Sequence, residues 1–256
     1  MKSIATKQGI QNFLTAPVDV EVFDCVNSTN TYAKQLVKGG KCGNFAIVAR
    51  EQTLGRGRFE RRFFSPKDCG VYLSLVVAPR SEDELAMLTP LCAVATLRAI
   101  KATLGKDVEI KWVNDLYFEK KKCVGILCEA VSVNSKISAV VLGIGVNLYE
   151  PDGGMDDEIK DIVSFLGDGS EDCADRLIAC IIEKIVGMHN NFDKAQIAKE
   201  YKEHSFLIGK RVDVCKLDDS VQSALVVDID KNCNLVVQYD CGRVEKLSAG
   251  EVRIKC

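Results

Sequence analysis

The sequence predicts an α+β fold: a large domain with a mixed or antiparallel sheet flanked by helices, followed by a small all-β domain. The chain has 256 residues, 47% of them hydrophobic and 27% charged, which is enough to bury a sizeable core. Up to residue 204, segments with the two-residue hydrophobic period of a strand lie between segments with the helical period. After Gly209 the pattern changes to short strands with tight turns. We therefore place the domains at residues 1–206 and 207–256.

The elements of the large domain are read from hydrophobic period and from end signals. Ser28 is a predicted N-cap, and the helix after it ends at Gly39. A long amphipathic helix over 82–104 is stopped by Gly105, and two more helices are predicted over 173–188 and 195–204. The acidic, glycine-rich stretch 151–169 is predicted as loop with at most a short helix. The predicted strands are 18–23, 45–49, 71–77, 108–112, 123–133 and 137–146.

Four short strands are predicted in the small domain, over 211–216, 223–229, 235–239 and 244–247. So many short strands in fewer than fifty residues are typical of a small barrel or sandwich.

Charge and cysteine content exclude some classes of protein. The formal net charge of -2 argues against bulk nucleic-acid binding, so any phosphate recognition is expected to be local. The N-terminus lacks a long apolar core, and no stretch has the roughly 18 uncharged apolar residues of a membrane span. We therefore expect a cytoplasmic protein that binds neither DNA nor membrane. None of the twelve cysteines form a C-x-x-C pair, so free thiols are predicted, with a disulfide framework as the alternative.

The segment 52–62, QTLGRGRFERR, carries four arginines in a glycine-punctuated loop. Arginine forks hold phosphate or carboxylate through paired hydrogen bonds, and glycine lets backbone N–H groups approach an anion. The loop is therefore predicted to close over an anion. A solvated basic surface loop is the alternative, and RNA binding is a further one, although a single aromatic residue makes a poor stacking platform.

Three other segments carry polar side chains at the ends of predicted elements. Ser28-Thr29-Asn30 by itself reads as a helix cap. Two interpretations are open for the segment Lys111-Trp112-Val113-Asn114-Asp115 and the following Lys122: a turn, or an edge that faces metal and phosphate. Gly143-Ile144-Gly145-Val146-Asn147 ends a strand, and its glycines predict a close approach of the backbone to a ligand.

Taken together and in this order, the segments resemble the biotin protein ligase family. Members carry S-T-N, G-R-G-R-x-G-R, K-W-P-N-D, K-x-x-G-I-L-x-E and G-x-G-x-N, and this chain has STN at 28–30, GRGRFER at 55–61, KWVND at 111–115, KCVGILCE at 122–129 and GIGVN at 143–147. The resemblance extends over roughly residues 20–256, because Gly250-Glu251-Val252-Arg253 is similar to the family's small domain. It implies a class II synthetase-like catalytic domain followed by an SH3-like β-barrel.

The resemblance also implies a two-step reaction, in which biotin and ATP give biotinyl-5′-AMP, and a lysine of a carrier protein then takes the biotinyl group. Lys122, Arg58 and Lys111 would be catalytic. Asp115 would hold Mg²⁺. The nucleotide would contact Arg61, Asn114, Asn147 and Arg253. Biotin and its adenylate would contact Ser28, Thr29, Asn30, Gln52, Gly55, Arg56, Gly57, Arg58, Lys122, Gly125 and Gly143.

Three residues depart from the family pattern: Glu60 stands in place of the third glycine of the loop, Val113 in place of proline, and Phe63 in place of a frequent tryptophan. The loop is expected to be mobile without ligand and ordered over the adenylate. Some twenty residues precede the first strand, so we expect the ligase-only form without an N-terminal DNA-binding domain.

The expected partner is the biotin carboxyl carrier domain of a biotin-dependent carboxylase, and the expected assembly is a monomer or a homodimer. Two alternatives stay open at this point: a lipoate or octanoate ligase, and a non-catalytic sensor of biotin or its adenylate.

Overall fold

A computed structural model of the protein describes residues 2–155, 157–215 and 220–254. The helices are α1 (Lys7–Phe13), α2 (Thr29–Lys38), α3 (Glu82–Leu104), α4 (Asp157–Lys160), α5 (Cys173–Asn190) and α6 (Lys194–Glu203). The strands are β1 (Asp19–Phe23), β2 (Phe45–Ala49), β3 (Gly70–Val77), β4 (Glu109–Lys111), β5 (Asp115–Phe118), β6 (Lys121–Val133), β7 (Lys136–Asn147), β8 (Arg211–Cys215), β9 (Val221–Ile229), β10 (Leu235–Tyr239), β11 (Val244–Leu247) and β12 (Glu251–Ile254).

The large sheet has seven strands in the order β1-β2-β3-β7-β6-β5-β4. β1 and β2 pair in parallel and the other neighbours are antiparallel, so the predicted mixed sheet is confirmed. The long strands β6 and β7 form its centre, with Gly125 opposite Gly145 in their ladder. These two glycines leave a smooth strip of backbone on one face of the sheet.

Helices cover both faces of this sheet. α3 and α5 pack together on one face over the main apolar core, with α1 against α5 and α6 against α3. α2 packs on the other face over a smaller apolar cluster that includes Ala33, Phe45 and Val141. By length and composition α3 is apolar enough to span a membrane, but 67% of its most apolar stretch is buried here, as expected of a core helix.

The small sheet is antiparallel, in the order β11-β10-β9-β8-β12. β11 and β12 are its edges, and the described residues show no pairing between them, so the strands do not close into a barrel by hydrogen bonds. Residue 216, at the end of one predicted strand, lies outside the described residues.

The predicted elements are found close to their expected bounds, and three were missed. α1 buries only Ile10 and is fixed by Asp175, whose Oδ1 accepts from the backbone N–H of Thr6 at 2.9 Å. β5 is a four-residue strand that turns back on β4, and β12 pairs with β8 from the far end of the small domain. Contacts with distant parts of the chain fix α1 and β12, whereas β5 is held by its two sequence neighbours β4 and β6 and is too short for its hydrophobic period to reveal it.

Candidate active site

A cavity of about 400 Å³ lies where the N-terminus of α2, the loop 52–65, the strands β6 and β7 and the small domain meet. Fifteen of the site residues predicted from the sequence line it, drawn from segments far apart along the chain. They are Ser28, Thr29, Asn30, Gln52, Arg56, Gly57, Arg58, Arg61, Lys111, Asn114, Asp115, Lys122, Gly125, Gly143 and Asn147.

The α2 end of the cavity is a chain of buried and half-buried polar side chains. Gln52 Oε1 accepts from the backbone N–H of Thr29 at 2.9 Å and from its hydroxyl at 3.1 Å. The hydroxyl of Ser74 lies 2.8 Å from Thr29 Oγ1 and 2.6 Å from Asn30 Oδ1. Ser28 caps α2, because its side chain accepts from the backbone N–H of Thr31. A satisfied network of this kind holds each side chain in one orientation, so this end of the cavity is preformed.

Asn30 links this network to a charged cluster on β6. Its Nδ2 donates to the carbonyl oxygen of Leu127 at 3.1 Å and to Glu129 Oε2 at 2.9 Å. The other oxygen of Glu129 lies 2.7 Å from Lys34 Nζ and 3.6 Å from Arg56 Nη1. Burial raises the pKa of Glu129, but its contacts with Lys34, Asn30 and Arg56 outweigh this and hold the pKa below its usual value. Glu129 is therefore ionised beside the cavity.

The arginine-rich loop is a tight hairpin. Arg56 and Arg62 form a bridge, and the N–H of Gly57 donates to the carbonyl of Arg61 at 2.7 Å. At its tip Phe59 and Glu60 have φ of 53° and 58°, the left-handed region that favours glycine. A glycine at position 60 would adopt this conformation without steric cost, whereas Glu60 adopts it at a cost of about 1 kcal/mol.

The glycines of the floor make room for side chains of the protein itself. A Cβ at Gly145 would lie 2.4 Å from the ring of Phe63, and one at Gly125 would lie 3.0 Å from the same ring. A Cβ at Gly143 would lie 2.3 Å from Asn30 Oδ1. The sequence predicted that these glycines let a ligand approach the backbone, whereas in this structure Phe63 and Asn30 make the close approach.

Cations gather at the other end of the cavity. Lys122 Nζ lies 2.7 Å from Asp115 Oδ1, and Lys111 Nζ lies 3.4 Å from the hydroxyl of Tyr117. Arg58 Nη1 donates to Asn114 Oδ1 at 3.4 Å. Burial lowers the pKa of Lys111, opposed by Asp115 and reinforced by Lys122, and burial also lowers the pKa of Arg58. Partly buried cations with so little negative charge around them would stabilise an anionic ligand.

Hydrogen bonds to the backbone fix this end as well. Asn114 Nδ2 donates to the carbonyl of Ile126 at 2.7 Å, and Asn147 Nδ2 donates to the carbonyl of Lys122 at 3.3 Å. The small domain contributes Glu251, whose Oε2 lies 2.5 Å from Arg61 Nη2.

Two predicted residues do not reach the cavity. Gly55 is buried in the hairpin, and a Cβ there would lie 2.3 Å from the carbonyl oxygen of Phe63, so it serves loop closure. The side chain of Arg253 is 65% exposed, and its Nε lies 3.5 Å from Glu251 Oε1. The neighbouring Glu251 lines the cavity in its place.

Sequence reasoning also missed lining residues, most of which carry no charge signal. Those without charge are Phe59, Phe63, Phe64, Tyr72, Leu73, Trp112, Tyr117, Ile126, Leu127, Ile144, Gly145, Ile159, Ile162, Val163, Gly250 and Val252, and two charged residues, Arg62 and Glu251, line the cavity as well. Among these, the apolar trio Ile159, Ile162 and Val163 interrupts an acidic stretch, which was a usable signal. The backbone N–H of Lys122 donates to the carbonyl of Ile162 at 2.8 Å, which brings this trio to the cavity.

The residues present suit a loosely held hard cation rather than a dedicated metal centre. The described residues contain no cluster of three or more histidine, cysteine or acidic side chains placed to hold a metal. Asp115 is the carboxylate beside Lys111, Asn114 and Lys122. Mg²⁺ is commonly held by one or two carboxylates together with substrate phosphates and water, and this donor set fits that pattern.

The sheet, the helix cap and the cation-lined cavity define a class of protein that the family comparison identifies. Residues 22–147 match the biotin/lipoate A/B protein ligase family, and the chain belongs to it. Residues 207–254 match the biotin protein ligase C-terminal domain.

Curated relatives agree with this assignment. The chain is 34% identical over 184 residues to the bifunctional ligase/repressor BirA of Bacillus spizizenii, covering 72% of this chain and 54% of that protein. It therefore spans about half the length of the BirA relatives that it matches. It is 26% identical over 242 residues to the biotin–[acetyl-CoA-carboxylase] ligase of Mycobacterium tuberculosis, covering 91% of this chain and 88% of that protein.

Solved structures share the fold. The biotin protein ligase from Aquifex aeolicus in complex with biotin and ATP superimposes with a TM-score of 0.76 at 21% identity, over 93% of this chain and 98% of that one. The biotin protein ligase from Leishmania major in complex with biotinyl-5-AMP gives a TM-score of 0.62 at 25% identity, over 91% and 100%.

Proposed function

We propose that this protein joins biotin to a carrier protein in two steps at one cavity. The carboxylate of biotin attacks the α-phosphorus of ATP, an oxygen–phosphorus bond forms, and pyrophosphate leaves. The amine of a carrier lysine then attacks the acyl carbon of biotinyl-5′-AMP, an amide forms, and AMP leaves. The observation that carries the proposal is the convergence of an uncharged polar pocket and a cationic pocket on one cavity of about 400 Å³.

The α2 end suits the neutral, hydrogen-bonding head of biotin. Thr29, Asn30 and Gln52 offer an ordered set of donors and acceptors beside the backbone of β6 and β7. A buried site of this kind rejects ligands that lack matching polar groups, because its own groups would lose their partners. Selection of biotin over a purely apolar acyl chain is expected at this end.

The cationic end suits the acyl-phosphate. Lys122, Arg58 and Lys111 would face the negative charge that develops between the carboxylate and the α-phosphate, and this positioning carries most of phosphoryl-group catalysis. Here Lys122 Nζ is paired with Asp115 Oδ1 at 2.7 Å. The incoming carboxylate would replace Asp115 as the partner of Lys122.

That exchange would free Asp115 to hold Mg²⁺, which neutralises triphosphate charge when it is bound with ATP. Asn114, Asn147 and Arg61 would contact the nucleotide, beside the apolar wall of Ile159 and Ile162. The hairpin would exclude water, which protects the mixed anhydride from hydrolysis.

The second substrate would be the biotin carboxyl carrier domain of a biotin-dependent carboxylase, and the reaction would take place in the cytoplasm. The experiment is mass spectrometry of a carrier domain incubated with this protein, biotin and MgATP, and the expected result is one added biotinyl group on one lysine. A parallel arm replaces biotin with lipoate. Carrier modified only in the lipoate arm would establish the lipoate ligase alternative, and biotinyl-adenylate formed without transfer would establish the sensor.

A further inference from the structure

One carboxylate beside the cavity serves three partners, two of them cations. Glu129 Oε1 lies 2.7 Å from Lys34 Nζ and 3.6 Å from Arg56 Nη1, and Glu129 Oε2 accepts from Asn30 Nδ2 at 2.9 Å. Lys34 and Asn30 belong to α2, Glu129 to β6, and Arg56 to the arginine hairpin. The cluster therefore ties the hairpin to the rigid part of the site.

The two cations compete unequally for one negative charge. Lys34 is the closer, and its side chain is 22% exposed, whereas the side chain of Arg56 is 44% exposed and at the longer distance. Because two positive charges face one carboxylate, Arg56 is only partly neutralised. Arg56 is thus held at the α2 end but remains available to an anion that enters the cavity.

We propose that Glu129 is a positioning residue that limits the motion of Arg56, and with it the hairpin, before ligand binds, and that Lys34 sets how firmly it does so. An anionic acyl-adenylate would then replace Glu129 as the partner of Arg56. The free-energy cost of this exchange would be small, because Lys34 already shares the charge of Glu129. The ligand's identity rests on the proposed function, whereas the contact between Glu129 and Arg56 involves only residues of this chain.

The first test uses amide hydrogen exchange of residues 55–63 in the ligand-free protein. Glu129→Gln keeps an oxygen for Asn30 but removes the charge, so exchange in the hairpin is expected to rise roughly three-fold. Lys34→Met leaves Arg56, among the described residues, as the one cation in contact with the carboxylate, so exchange in the hairpin is expected to fall by a similar factor. The double variant is expected to match Glu129→Gln, since Lys34 acts through that carboxylate.

Glu200→Gln is the matched control: this carboxylate is paired with Arg98, is 15% exposed against 19% for Glu129, and does not line the cavity. It is expected to leave exchange in the hairpin unchanged. A merely structural role for Glu129 and Lys34 would raise exchange in both single variants, so shifts in the same direction, or no shift, would overturn the proposal.

The second test is calorimetry with a non-hydrolysable biotinyl-adenylate analogue. Lys34→Met is expected to weaken binding roughly three-fold, and this loss is expected to vanish in the double variant. If the wild-type protein does not bind the analogue, the proposed function fails while the exchange result still stands. If the wild-type protein binds it and Lys34→Met binds equally well, the role of Lys34 in ligand capture is wrong.

Discussion

The floor of the cavity and the hairpin above it differ in almost every physical respect. The floor is made of β3, β6 and β7, where Ser74, Ile144 and Val146 are at most 2% exposed and backbone ladders are continuous. The hairpin carries exposed Phe59, and its tip has two consecutive residues with positive φ. The floor is stabilised by burial, whereas the hairpin is held by a few hydrogen bonds and ion pairs.

This difference separates two requirements of the proposed reaction. Apart from the exchange of partners proposed for Lys122, the preformed floor can supply charge and orientation with little reorganisation, which is where electrostatic catalysis is most effective. The hairpin can open to admit substrates and close to exclude water. Substitutions in the floor should therefore change chemistry or folding, and those in the hairpin should change access and local order.

The largest expected effect is at Lys122, at the start of β6. Lys122→Ala should lower adenylate formation roughly a hundred-fold or more, because it removes the charge that meets the developing anion. The side chain is 30% exposed, so the fold should survive, as circular dichroism would show. Arg56→Ala, in the hairpin, should lower adenylate formation less, by about ten-fold. Pyrophosphate release measures both, and equal losses would remove the distinction between floor and hairpin.

The next effect is a pH dependence that arises at Lys111. Burial lowers its pKa in the free protein, and a bound anion should raise it, so binding is accompanied by proton uptake at high pH. Affinity for an adenylate analogue should be full below the free-state pKa and should fall, by at most about ten-fold per pH unit, as the pH rises towards the bound-state pKa.

Calorimetry from about pH 7 to about pH 10 measures this fall. Lys111→Arg is the control, since a guanidinium stays charged throughout that range. The same fall in both proteins would assign the titration to another group.

The third effect tests the packing of Phe63 on the floor. Gly145→Ala should destabilise the protein by about 1–3 kcal/mol, because the added carbon would lie 2.4 Å from the ring. Gly187→Ala, where an added carbon meets nothing within 4 Å inside α5, should be neutral or stabilising. Thermal unfolding measures both. Gly145→Ala with Phe63→Leu should recover part of the loss, and a failure to recover would place the clash elsewhere.

The smallest effect is at the tip of the hairpin. Glu60→Gly should stabilise the protein by up to about 1 kcal/mol, because glycine adopts φ near 58° without steric cost. Glu60→Ala removes the same charge but keeps the steric cost, so it should give no gain. Denaturant unfolding compares the two, and an equal gain in both variants would mean that the charge of Glu60, rather than its backbone, is unfavourable.

The difference between the floor and the hairpin also explains which features could be predicted from the sequence. The floor was predictable, because hydrophobic period reports buried strands and the polar segments mark their ends. The competition at Glu129 was not, since it depends on Lys34 and Arg56, far away along the chain, meeting one carboxylate. Arg253 was assigned to the nucleotide from its motif, but its side chain is mostly exposed, and Glu251, two residues earlier, lines the cavity.

The ring of Phe63 lies over Gly125 and Gly145, two residues paired across one ladder that present only backbone to it. Because neither glycine has a side chain, the ring can shift or tilt over them without displacing one. The strands beneath can keep their positions while it does so. The contact between Phe63 and the two glycines therefore lets the hairpin open while its path along the sheet stays defined. The rate of opening then does not depend on a rearrangement of the core.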